Sequence, residues 1–179
     1  MDRGLSDFNS PRVFTVSSLY ELPFFKERKG VVRHVLGGWN VGNIVNLRDG
    51  YPFTPGWSGD SANTGLGSRP NRTCDGTLDN PTIDRWFDTN CFGAPTQFTY
   101  GNSGRNILRG PKFINWDSGV HKDFSLSERF RLQFRTEFFN LLNHPNFGLP
   151  QAIINAGTPA VISNAAPGRI VQFALKLYY

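Results

Sequence analysis

The feature that most constrains this chain is a repeat of period two. Five segments of about ten residues place apolar side chains on one parity and polar or small ones on the other, the spacing of a β-strand with one greasy and one wet face. From Ile114 to Phe124 the even positions include Ile114, Trp116, Val120 and Phe124, whereas the odd ones are Asn115, Asp117, Gly119, His121 and Asp123. The next run sets Phe130, Leu132, Phe134, Thr136 and Phe138 against Arg131, Gln133, Arg135 and Glu137. The last sets Val171, Phe173, Leu175, Leu177 and Tyr179 against Gln172, Ala174, Lys176 and Tyr178. Two earlier runs, Phe14 to Leu22 and Trp39 to Leu47, alternate less cleanly, and Asn43 and Ile44 break the second.

Composition supports a β chain. Its 179 residues suit one domain. Charged residues are 18% and aromatic ones 14%, with 19 Gly and 12 Pro, which excludes charge-driven disorder and an alanine- and leucine-rich bundle. No apolar run approaches the roughly 18 to 20 residues of a membrane-spanning helix. The net charge is +5, but the basic residues are scattered and the one cluster, Lys26, Arg28, Lys29 and Arg33, is interrupted by Glu27 and a glycine. No nucleic-acid partner is expected from that footprint.

Strands of 9 to 11 residues are what a tilted β-strand needs to cross a bilayer, although a soluble antiparallel sheet with one wet face alternates in the same way. The connections favour the membrane. They run short, long, short, long: a charged turn near Lys26 to Gly30, a loop over 49–112, a turn at Ser125 to Glu128, and a loop from Asn143 to Gly168. Short periplasmic turns and long external loops have this rhythm. The final strand then runs inward, and Cys74 and Cys91 lie in an external loop, where a disulfide is the better reading and two free thiols the alternative. Five strands cannot close a barrel, and an open sheet leaves two edges that hydrocarbon does not tolerate. Together with an N-terminus that lacks a signal-peptide core, this predicts the C-terminal piece of a much longer protein, or a truncated gene product.

Several motifs carry a resemblance. Tyr20-Glu21-Leu22-Pro23-Phe24, Gly38-Trp39-Asn40, Gly50-Tyr51-Pro52-Phe53, Trp86-Phe87-Asp88, Gly101 to Asn106, Arg109-Gly110-Pro111, Arg135 to Gly148 and the terminal Gln172-Phe173-Ala174-Leu175-Lys176 are similar to the end of the TonB-dependent receptors with an N-terminal carboxypeptidase-regulatory-like domain, the Oar-like group. The block from Phe138 to Gly148 is the most specific. The resemblance implies an outer-membrane barrel of about 22 strands with a plugged lumen, importing a ligand with energy passed by TonB. It also implies that a last strand ending in an aromatic acts as an assembly signal, here Val171, Phe173, Leu175, Leu177 and Tyr179. The plug, the TonB-contacting segment and most of the barrel have no counterpart in these residues.

The expected fold class is therefore all-β and antiparallel, the last five strands of an outer-membrane barrel. The expected function is part of a TonB-dependent receptor for an unidentified solute, with outer-membrane lipid, the barrel-assembly machinery and TonB, through the parent's N-terminal part, as partners. Asp117, His121, Asp123, Arg131, Gln133, Arg135 and Glu137 are expected to face the lumen, with Asp–Arg pairs across the hairpin. Trp116, Val120, Phe130, Leu132, Phe134, Phe173, Leu175 and Leu177 are expected to face lipid, with Lys122 interrupting that face and snorkelling. No cofactor and no catalytic role are expected: His121, Asp117 and Asp123 offer one histidine where a metal needs three or four convergent ligands, and no Gly-x-Ser-x-Gly elbow occurs. Trp57, Trp86, Phe87, Phe92, Phe98 and Tyr100 form either a ligand-capturing surface or the small core of a long loop. The alternative from another class is a soluble or surface-exposed carbohydrate-binding β-sandwich, which requires Trp116, Phe130, Phe134 and Phe173 to be buried against a second sheet.

Overall fold

The computed structural model describes residues 3–25 and 27–179; Lys26 of the charged turn and the first two residues lie outside them. In chain order the elements are β1 (Val13–Glu21), α1 (Val31–Leu36), β2 (Asn40–Arg48), β3 (Pro52–Phe53), β4 (Asn71–Arg72), a 3-10 turn (Thr89–Cys91), β5 (Phe92–Gly93), β6 (Leu108–Arg109), β7 (Phe113–Ser125), β8 (Arg131–Phe139) and β9 (Ile170–Tyr178). Among the described residues no helix is long and apolar enough to cross a membrane. Two compact units result. One combines the residues up to Arg12 with Arg48–Phe113 and Asn146–Ala166; the other combines Val13–Leu47, Ile114–Pro145 and Pro167–Tyr179.

The second unit is the sheet, in the order β1-β2-β7-β8-β9. Each predicted alternating segment is a strand, displaced by a residue or so at its ends. The sheet is antiparallel and open, with β1 and β9 at its edges. Pairing of His121 with Arg135, Asp123 with Gln133, and Gln133 with Lys176 keeps the polar parity on one face across β7, β8 and β9. Lys122 opposite Phe134, Phe134 opposite Leu175, and Leu132 opposite Leu177 place the other parity on the opposite face. A slip of one residue would exchange the two faces along a whole strand, so the pattern itself selects the register.

Burial separates the units. Every buried hydrophobic side chain among the described residues, Phe53, Phe87, Cys91, Phe92, Leu108, Ala160 and Ile162, belongs to the loop unit. On the sheet, Phe173 and Leu175 are each 69% exposed and Phe130 is exposed, while Trp116 and Phe134 are half-buried. The sandwich alternative is therefore corrected: the apolar residues it needs inside are not inside. An exposed apolar face of this extent is one that a further apolar surface or a bilayer covers.

The loop unit is a small folded body rather than a tether. Phe87, 1% exposed, stands 5.6 Å from Phe53 and 6.0 Å from Phe92 between ring centroids. Trp86 packs against this core and donates its indole N–H to Arg109 O at 2.8 Å. The core draws on both 48–113 and 146–166, since Ala160 packs in the same cluster and the Trp86 backbone N–H donates to its carbonyl. Cys74 and Cys91 form the disulfide, with Cα atoms 4.9 Å apart. Gly101 is needed because a side chain there would meet the carbonyl oxygen of Arg69.

Polar bonds tie the N-terminal stretch in. The Asn106 amide donates to Leu5 O and Asp7 Oδ1, and Arg105 pairs with Asp7 at 3.1 Å. The Asn106 hydrogen bond, then Arg105, hold the Asp7 carboxyl below its ordinary value of 3.8. Arg12 does the same for Asp49, and Arg85 for Asp88.

Two outcomes are expected. Replacing Cys74 and Cys91 with serine removes a loop closure that contributes about 3 kcal/mol, so limited proteolysis will cut within 49–112 much faster while fragments containing β7 to β9 persist. The three depressed carboxyls leave the unfolded chain binding more protons in acid. The stability they lend is present above 3.8 and is lost as the pH falls through that value and the lower folded ones. Tryptophan-monitored denaturation will therefore show a modest loss on going from about pH 6 to about pH 3, smaller in high salt because these groups reach solvent.

Candidate functional site

The polar face of the sheet is hollowed. A cavity of ≈ 470 Å³ is lined by Ser17, Gly42 and Gly119 together with Asp117, His121, Arg135, Glu137 and Phe139, among others. Small residues on three neighbouring strands leave the floor open, and the charged and imidazole groups stand around it. Arg135 pairs with Glu137 at 2.5 Å on its own strand, and His121 sits directly opposite Arg135. Gln133 donates to Asp123 Oδ1 at 3.0 Å, and Tyr178 Oη lies 3.4 Å from Gln133 Oε1. Arg131 lies over the Tyr178 ring at 4.6 Å. The result is a hydrogen-bonding wall of alternating donors and acceptors.

Two expectations for this face and one for the apolar parity come out differently in the structure. The cross-hairpin Asp–Arg pairs are replaced, because the register sets Asp123 opposite Gln133 and Ser125 opposite Arg131, one pair out of step with ion pairing. Asp117 accepts the backbone N–H of Asn140 at 2.8 Å. Lys122 does not snorkel: it is 3% exposed, donates to Gly37 O, and lies 5.1 Å from the Phe124 ring and 5.8 Å from that of Trp39. The loop carbonyl and the aromatic quadrupoles hold the ammonium in place.

The apolar parity has its own order. Trp39 packs edge-on against Phe124 and Phe134, with centroids 6.4 and 6.0 Å away, and donates its indole N–H to Val35 O of α1. Trp116 donates to Asn43 Oδ1 at 3.1 Å, which explains why Asn43 interrupts the greasy parity of β2: a half-buried indole needs an acceptor. Phe130 falls one residue before β8, in the turn where its carbonyl accepts from Leu126 and Ser127, and Tyr179 falls one residue beyond β9. Val171, Phe173, Leu175 and Leu177 are exposed along β9, with Val120 and Leu132 half-buried on the inner strands. Among the described residues no group of three or more His, Cys, Asp or Glu is gathered for a metal.

A family model of the outer membrane beta barrel domain matches residues 1–172. The chain belongs to that family. No curated protein and no solved structure matches it. As an outer membrane beta barrel domain it resides in the cell outer membrane.

The most specific block of the sequence turns out to organise this domain's wall rather than its chemistry. Asn140 and Asn143 both adopt left-handed backbone, φ 52 and 51, which asparagine tolerates better than most residues. The buried Asn140 amide donates to His144 O and accepts from His144 N–H, while Asn143 Oδ1 accepts from Arg169 N–H at the entry to β9. One asparagine thus closes the turn after β8 and the other ties it to the next strand. These contacts were missed from the sequence, where only the doubled asparagine marked them.

Asn140→Ala strands the bonded groups of His144 and strains a left-handed position. A destabilisation of about 1–3 kcal/mol is expected, measured as a lowered urea midpoint of the detergent-folded chain. Asp117→Asn keeps an acceptor for Asn140 N–H and is expected to cost less; equal losses would show that the carboxylate has another role.

Proposed function

We propose that residues 1–179 are the C-terminal segment of a TonB-dependent receptor barrel, with 49–112 as an extracellular loop, and that the parent takes up a scarce, bulky solute. The observation that carries this reading is the pairing of an open, two-faced sheet with a loop body that has its own hydrophobic core and disulfide. A simple pore needs no such body, whereas a receptor needs a rigid surface for capture outside and a wet wall along the path inward. The resemblance of Phe138 to Gly148 to the Oar-like receptors supports the same reading.

In this scheme Asp123, Arg131, Gln133, Arg135, Glu137 and His121 line the lumen, and the apolar parity of β7 to β9 meets lipid. Edges β1 and β9 pair with further strands of the barrel, because an unpaired backbone in hydrocarbon costs several kcal/mol per group. Val171 to Tyr179 engages the assembly machinery. Wall residues contribute shape and hydrogen bonding rather than catalysis, and the energy comes from TonB acting on the parent's plug.

The test is genetic. Deleting the encoding gene in its host should slow uptake or growth on one scarce nutrient, and the same deletion in a TonB-null background should add nothing. An additive loss in the TonB-null strain would sink the coupling, leaving a passive barrel.

A further inference from the structure

The loop unit carries a second hollow, of ≈ 440 Å³, lined by Trp57, Asp60, Ser61, Asn63, Gln97 and Phe98, among others. Its size is within the range of small-molecule sites. Phe98 decides what it is for. The residue sits at φ +62 as the third residue of the turn that Thr99 N–H closes on Thr96 O at 3.1 Å, and its own N–H is held by Ser61 O at 2.6 Å. The residue is 71% exposed, so no core packing places it there. The turn thereby presents a large apolar ring to solvent at the hollow, a surface that the face of a ligand ring can cover. The loop aromatics thus divide: Phe87 and Phe92 form the core, whereas Trp57 and Phe98 line the hollow.

The polar side chains of the hollow point to the ligand's class. The amides of Gln97 and Asn63 make no hydrogen bond among the described residues, and Asp60 spends only Oδ2, on Gly65 N–H at 2.6 Å. Amides and carboxylates bond adjacent hydroxyl groups in pairs, as donor and acceptor together, and aromatic faces cover the C–H face of a sugar ring. No Lys, Arg or His lines the hollow, so nothing there compensates an anionic ligand. We infer that this hollow binds the end of a neutral oligosaccharide, with Phe98 and Trp57 stacking on the ring and Gln97, Asn63 and Asp60 reading its hydroxyls. This rests on the receptor reading only for its consequence, capture of solute outside the cell; the binding itself is measured without TonB.

The full chain, folded in detergent micelles, is titrated by calorimetry with maltohexaose, cellohexaose and xylohexaose, and with a galacturonic-acid hexamer as the acidic control. At least one neutral sugar is expected to bind and the acidic one is not. Phe98→Gly removes the ring and suits the left-handed backbone of the turn, so the fold is kept while affinity falls at least about tenfold. Gln97→Ala is expected to weaken binding several-fold. Tyr100→Ala, which alters an exposed aromatic outside the hollow, should leave it unchanged. The inference is overturned if no neutral sugar binds, if the acidic hexamer binds as well, if Phe98→Gly binds like the wild type, or if Tyr100→Ala loses as much. Sugar binding without TonB-dependent uptake would keep this site and discard the receptor reading.

Discussion

Everything in the sheet depends on where its apolar parity goes. A backbone strand must pair both its hydrogen-bonding edges, and a greasy face must leave water. In a soluble β protein one packing solution meets both demands, because a second layer covers the face. Here the face along β7 to β9 is left open, with Phe173 and Leu175 among its most exposed residues. In the outer-membrane barrel family the apolar medium is a bilayer, in which unpaired strand edges are not tolerated. The family match and the burial pattern are thus two views of one constraint.

The loop unit obeys the opposite rule. Lying among long connections with little regular structure, it assembles a core of its own from stretches far apart in sequence. That is why its buried residues come from both 48–113 and 146–166, why a disulfide crosses it, and why a glycine stands at 101, where two backbones meet. Such a body can hold an exposed aromatic ring at a fixed place, as the turn closed by Thr99 N–H on Thr96 O does for Phe98.

How much could be read in advance follows from the range of the interactions. Strand positions were legible because alternation is local: the expected Phe14 to Leu22 and Val171 to Tyr179 became Val13–Glu21 and Ile170–Tyr178. The disulfide was legible because two cysteines share one loop. What stayed hidden needed knowledge of partners. The offset that sets Asp123 against Gln133 depends on a turn geometry that charge counting does not contain. The burial of Lys122 depends on a carbonyl at Gly37, eighty-five residues earlier, and on the aromatic Trp39. The joining of both long loops and the N-terminal stretch into one body leaves no periodic trace at all.

Lys122 shows how a charge is accommodated on an apolar parity. A cation among apolar side chains is costly unless it reaches water or finds a partner, and this one finds a backbone carbonyl. Its ammonium turns to Gly37 O beside the rings of Trp39 and Phe124, and Trp39 in turn bonds Val35 of the short helix. The six residues of α1 are too few to be stable by propensity and have no buried side chain of their own. What fixes them is this cluster at the turn end of β2 and β7, where an aromatic belt belongs in an outer-membrane barrel. The lysine that looked like a flaw in the alternation is therefore the group that fastens the β1–β2 connection to the wall.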